Sequence, residues 1–205
     1  MAPTLLTPPS SLPVSVDEAK LHLRIEADDL TAADAALLHN YIHAATNYVE
    51  EYLRRRLIEQ TWKFYLDAFP TNDGEIVVPI SPLLDVEVNN FIFFDVAGNV
   101  FNVDNDLYVV DAPSGPNPPR GRIFLDFGKQ WPTTAREHQN AIEIVVKVGY
   151  GSTGASVPEA IRIAILQLVG NMYANRETVV TGTIATKMPM SAEFLLSPYR
   201  LFKFQ

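Results

Sequence analysis

The chain contains no cysteine. That removes a disulfide framework, a thiolate metal site and a cysteine nucleophile together, and it fits a reducing compartment. A surplus of positive charge is also missing: 16 Lys and Arg stand against 24 Asp and Glu, a net charge of −8. An extended basic surface for nucleic acid is therefore not expected. Long hydrophobic runs are absent as well. The longest apolar helical stretch is broken by Arg162, Gln167 and Asn171, so no segment reaches the length of a membrane span. The opening MAPTLLTPPSSLP has neither a basic stretch nor a continuous apolar run, and no secretory signal is expected there. Neither the G-K-[ST] of a phosphate-binding loop nor a G-x-S-x-G nucleophile elbow occurs.

What remains is a chain of 205 residues, 47% hydrophobic, long enough to bury a real core. One domain or two closely joined lobes is the expectation. Residues 1–14 are rich in Pro, Ser and Thr and read as an arm that is mobile when the protein is alone. Ser15 and Glu18 have capping-box spacing, with Val14 placed to pack on Ala19, and predict a short helix to Leu23. A second helix is predicted from Thr31 or Ala32 to Arg56. Leu38, Ile42, Ala45, Val49 and Leu53 recur along it at helical spacing. Leu37, Tyr41, Tyr48 and Tyr52 widen that apolar sector, while His39, His43, Asn47, Glu50 and Arg54 fall toward water.

After Leu57 the period changes. IEQTWKFYLDAF, EIVVPI, VEVNNFIFF, DLYVV, GRIFLDF and AIEIVVKV are strand candidates, separated by turn segments rich in Pro, Gly, Asn and Asp. From Pro158 the spacing is helical again to Glu177, with Ser156 as cap and Pro158 in the first turn. TVVTGTIATKMPM reads as a flexible connection, and SAEFLLSPYR as one or two helical turns stopped by Pro198. The fold class that follows is α+β: a helical body formed by the N- and C-terminal segments, 15–57 and 151–205, with a mainly antiparallel β insertion over 58–150.

The chemical signals are sparse. Gly149, Gly151 and Gly154 form G-x-G-x-x-G between a strand and a helix, the setting of a dinucleotide fingerprint. No βαβ continuation follows, and no acidic residue ends a second parallel strand to take a ribose, so a permissive joint out of the β segment is the simpler reading. His39 and His43 share a helical face, but Glu50 lies two turns farther and no close third metal ligand is evident. Asp104 and Asp106 lack the spacing and terminal acid of a calcium loop and read as a solvated hairpin edge. Trp62 and Trp131 are core or interface anchors. No catalytic, cofactor-binding or metal site is assigned, and the chain is not expected to be an enzyme. Arg54, Arg55 and Arg56 are the densest basic group and sit where a helix C-terminus favours positive charge.

An ordered series of segments carries a resemblance. LPVSVDEAKLHLRI, AALLHNYIHAATNYVEEYLRRRLIEQTW, QTWKFYLDAFP, IVVPISPLLDVEVNNFIFFD, LYVVD, GRIFLDFGKQWP, VVKVGYG, VPEAIRIAILQLVGNMYANRE and LLSPYR follow one another as in the head–tail connector, or adaptor, proteins of tailed bacteriophages, which the chain resembles over most of its length. The resemblance implies a structural part with no catalysis. It implies a homo-oligomeric ring in the virion, between the portal protein and a tail-side connector or stopper protein. DNA would pass through that ring without sequence-specific binding, and the subunit would reside in the host cytoplasm before assembly. No membrane is involved. An acidic channel face would keep the DNA backbone from sticking. The interface candidates are Arg54, Arg55, Arg56, Tyr199, Arg200, Leu201, Phe202 and Phe204, the apolar members docking onto a neighbour or the portal, while Tyr199 and Arg200 can instead lock the terminal turn to the subunit's own core. The alternatives are a tail-completion or other phage interaction protein, a small-ligand enzyme using the glycine turn, and a DNA-binding module built from Arg54, Arg55 and Arg122.

Overall fold

The computed structural model of the chain describes residues 3–26, 31–71, 74–134, 139–175 and 189–202, with 88 and 89 described by backbone alone. The chain divides into two compact units, residues 1–10 with 59–151, and residues 11–58 with 152–205. The fold is α+β, with strands in the first unit and helices in the second.

The β unit holds two antiparallel sheets. The larger has the order β1 (Thr4–Thr7), β2 (Gln60–Leu66), β8 (Ile142–Val148), β4 (Leu83–Phe94), β5 (Val100–Asn102). The smaller has the order β3 (Ile76–Val77), β7 (Arg122–Leu125), β6 (Tyr108–Asp111). Strand β8 is central and runs IEIVVKV, apolar enough to be buried over most of its length. Its ladder with β2 is regular from Gln60↔Val148 to Leu66↔Ile142. Its ladder with β4 is interrupted twice, and the longer interruption falls between Val86 and Phe91. Ile142, Ile144, Val146 and Val148 point into a core shared with Phe64, Phe91 and Ile123. Trp131 packs at that core's margin, stacked on Phe69 at 4.7 Å between ring centroids, so it is a core residue. Trp62 is partly buried and donates its indole N–H to Gln60 at 2.9 Å.

Two strands differ from the expectation. Thr4–Thr7 lie in the stretch read as an arm, yet they form β1 by pairing with Thr61–Lys63 of β2. The short β5 lies between the strand candidates VEVNNFIFF and DLYVV and is not among them. Asp95 accepts hydrogen bonds from the backbone N–H groups of Ala97 and Asn99, closing a tight turn that brings Val100–Asn102 back onto β4. The Asn99 side-chain amide, then its backbone N–H, holds the Asp95 carboxyl below its ordinary range.

The helical unit contains α1 (Val16–Leu23), α2 (Ala32–Leu53), α3 (Glu159–Ala174) and α4 (Met190–Leu196). Both early helices start with complete capping boxes, Ser15 with Glu18 and Thr31 with Asp34. Both end on an arginine in the left-handed conformation, Arg24 and Arg54, each at φ 57°. Helix α2 therefore stops at Leu53, short of Arg56. Helix α3 packs against α2, α1 contacts both, and α4 packs on α3. The shared core includes Ile42, Val49, Leu53, Ile161, Ile165 and Leu168. Burial of each such side chain contributes about 1.5–3 kcal/mol against leaving it in water. Ser156 does not cap α3. It ends a short 3₁₀ turn over Gly154–Ser156, and Pro158 occupies the cap position without a side-chain bond. Helix α4 ends at Leu196, ahead of Pro198 as expected, and runs into a 3₁₀ turn over Ser197–Tyr199.

Candidate assembly interface

The glycine turn is not a phosphate cradle. Such a cradle needs several backbone N–H groups free to meet an anion at a helix start. Here the Gly149 N–H donates to Pro82 O at 2.9 Å, the Ser156 N–H to Thr153 O, and the Val157 N–H to Gly154 O. Gly149 and Gly151 have φ of 130° and 154°, whereas a Cβ on Gly154 would stand 2.5 Å from Pro13 O. That third glycine is required for a close approach of the chain to itself. A cleft of about 180 Å³ does touch Gly149 and Tyr150, but its other walls are Pro82, Leu83, Leu84, Ala112, Pro113, Ser114, Gly115 and Pro118. No charged side chain enters it, and the Tyr150 hydroxyl donates to Pro116 O. Ligand sites are commonly larger, roughly 300–1,000 Å³, with convergent polar groups.

The histidine pair is likewise ordinary surface. His39 and His43 are exposed, with ring centroids 6.3 Å apart, and His43 contacts Asn47. Glu50 does not face water as its helical position suggested. It is 8% exposed and engaged elsewhere. Among the described residues no group of three or more His, Asp or Glu converges on a metal position. Asp104 caps the 3₁₀ turn Asn105–Leu107.

The C-terminal end of α2 is where sequence-distant candidates meet. Arg54 is exposed. Arg55 is 2% exposed, and its Nε donates to Tyr199 O at 2.7 Å. Leu201 N–H donates to Leu53 O at 3.0 Å, and the Arg200 guanidinium lies 4.9 Å from the centre of the Tyr52 ring. Residues 199–201 are thus fastened to α2, across a sequence separation of 144 residues for the Arg55–Tyr199 bond. Leu201 is half-buried and Phe202 is 65% exposed. Phe204 lies outside the described residues. Arg55 is a buried strut and cannot present its charge to a partner, while Arg54, Arg200 and Phe202 can.

Glu50 organises the same corner. Its Oε1 accepts the Leu57 N–H at 2.8 Å and its Oε2 accepts Arg56 Nη1 at 3.0 Å. Arg56 also reaches Glu51. Burial raises the Glu50 pKa above its ordinary range, against the lowering effect of the Leu57 and Arg56 hydrogen bonds. Sequence reasoning missed this residue because helical periodicity assigns a face, and the acceptor is needed by a loop that folds back past that face.

Near the other end of the unit, Arg162 bonds Glu159 at 2.6 Å, Glu18, and Pro13 O at 3.2 Å. This ties the segment before α1 to α3. The Ser15 backbone N–H, first among several contacts, keeps Glu18 below its ordinary pKa. In the β unit, Arg122 is held by Asp111 at 2.9 Å and Glu75 at 3.0 Å. With Arg55 buried and Arg122 paired, the trio Arg54, Arg55 and Arg122 does not make a free basic surface for DNA. No helix among the described residues is long and apolar enough to cross a membrane.

Residues 13–83 match the phage gp6-like head-tail connector protein family. The matched stretch runs from the residue before Val14 through α1, α2, β2 and β3 to the first residue of β4. The resemblance read in the ordered segments of the sequence therefore stands. Over the whole chain, the fold is shared with a chain of the virion of a native gene transfer agent particle, at 24% identity and a TM-score of 0.76. That alignment covers 100% of this chain and 98% of the other. A chain in the neck of the empty particle, computed with C6 symmetry, aligns at 23% identity and a TM-score of 0.74, with the same coverage of both chains. One in the neck of the native particle, computed with C12 symmetry, gives 22% and 0.67, again covering 100% and 98%. No curated protein matches the chain.

Proposed function

We propose that the chain is a structural head–tail connector of a tailed phage or phage-like particle. It assembles as a homo-oligomeric ring between the portal protein and a tail-side connector or stopper protein, and it extends the DNA channel. It has no catalytic role. One observation carries this reading: the segment matching the head–tail connector family is embedded in a fold that follows, end to end, the fold of chains from gene transfer agent virions and necks. The charge of −8 suits a channel component that DNA must pass without sticking. Arg54, Arg200 and Phe202 are proposed to contact the next subunit or the portal, and Phe204 to extend that contact.

Removing the protein from particle production tests the reading. Filled or leaking heads without joined tails are expected. Normal tailed particles in its absence would reject it. At Gly149–Gly154 the Gly149 N–H is bonded to Pro82 O and the adjoining cleft is lined by no charged side chain, so the geometry lends the enzyme alternative no support.

A further inference from the structure

The five-stranded sheet ends in two unfinished edges. Among the described residues, β1 at one end pairs only with β2, and all four of its residues are exposed. Leu5 is 42% and Leu6 47% exposed. Successive strand residues point to opposite faces, so both faces of this strand are uncovered. At the other end, again among the described residues, β5 pairs only with β4, and Val100 and Phe101 are 55% and 48% exposed. Natural sheets defend such edges by keeping them very short or with prolines, charges, bulges or a covering element. Here the edge sequences are TLLT and VFN, without one charged residue in a chain of net charge −8. Pro3 and Pro8 limit the length of β1, and the register shift between Leu5 and Thr7 bends it, but neither makes it polar.

A second copy of the chain is the occupant that satisfies both edges together. Copies of like charge repel, and the uncharged strands are where two of them can approach at least cost. Pairing β1 with β1, or β5 with β5, gives a closed dimer and leaves the other edge open. Pairing β1 with β5 is heterologous, and repetition of a heterologous contact closes into a ring when the rotation permits. We propose that β1 of one subunit adds to β5 of the next, so that the sheet continues from subunit to subunit around the ring. This rests on the ring assembly proposed above and specifies the strands that make its contact.

The absence of cysteine makes the test direct. Leu6→Cys and Val100→Cys are introduced singly and together, and particles containing them are treated with a short bis-maleimide after their necks have been imaged. The double variant is expected to give a denaturation-resistant ladder extending beyond the dimer, and each single variant to remain monomeric. Necks that contain the ring but yield only monomer from the double variant would overturn the strand pairing and leave the connector reading intact. Dimers from either single variant would also overturn it, because they place like edges together. Absence of the protein from the necks would overturn both. Leu6→Lys and Val100→Lys guard against misfolding: each is expected to keep the thermal transition of the isolated subunit and to lose ring incorporation. Full incorporation of both lysine variants would contradict the proposal.

Discussion

Glu50 separates the role of a hydrogen-bond acceptor from the role of a charge. Its carboxylate is nearly excluded from water and accepts from Leu57 N–H at 2.8 Å and from Arg56 at 3.0 Å. In Glu50→Ala, the buried Leu57 amide loses this acceptor, which costs about 1–3 kcal/mol. The lost ion pair adds roughly 0–1 kcal/mol, because Arg56 remains partly solvated. The sum, about 1–4 kcal/mol, corresponds to a fall in Tm of about 2–16 °C for a chain of this size. Glu50→Gln keeps an oxygen for the amide and removes the buried charge, so its cost should stay below about 1 kcal/mol. The pH dependence follows from the raised pKa. The folded state binds the Glu50 proton more tightly than the unfolded chain does. The associated stabilisation is complete below about the ordinary value of 4.5 and is lost as pH rises through the folded value. The gap between wild type and Glu50→Gln should therefore change as pH rises from 4.5 and then level off. Calorimetric melts of the three proteins across that range provide the measurement. A Gln variant as unstable as the Ala variant at neutral pH would refute the acceptor argument.

Other substitutions probe the same corner. Arg55→Ala removes a buried donor to Tyr199 O and should cost about 2–4 kcal/mol in chemical denaturation. Arg54→Gly replaces a residue at φ 57° and should leave stability between unchanged and about 1 kcal/mol higher. If Arg54 contacts a partner, ring incorporation of that folded variant falls. A chain ending at Leu201 keeps the bonds to Leu53 and Arg55 and should melt like the wild type while incorporating poorly. A chain ending at Leu196 should be destabilised as well. Equal incorporation of the Leu201-terminated chain would remove Phe202 and Phe204 from the interface.

Much of this architecture is legible in local sequence because its signals are local. The capping boxes at Ser15–Glu18 and Thr31–Asp34 mark two helix starts, and the Leu38–Leu53 periodicity marks the buried face between α2 and its neighbours. The strands β2, β4, β6, β7 and β8 carry enough β-branched and aromatic residues to stand out. The misses have non-local causes. TLLT between prolines has no pattern of its own and becomes a strand only because β2 lies beside it. VFN is too short to show a period, and its placement depends on the Asp95 turn. Gly154 resembles part of a nucleotide motif in sequence, whereas its reason is the Pro13 carbonyl pressed against it. Three adjacent arginines look equivalent until the fold exposes the first, buries the second against Tyr199 and pairs the third with Glu50. The candidate interface was legible as a set of residue types, but not which of them would be turned inward.

As a head–tail connector, the chain belongs at the neck of a particle. Cryo-electron microscopy of particles carrying a tag on this chain tests that position most directly. A ring of tagged subunits between portal and tail, coaxial with the DNA channel, is expected. Tag density in the capsid shell or along the tail tube, with none at the neck, would contradict it.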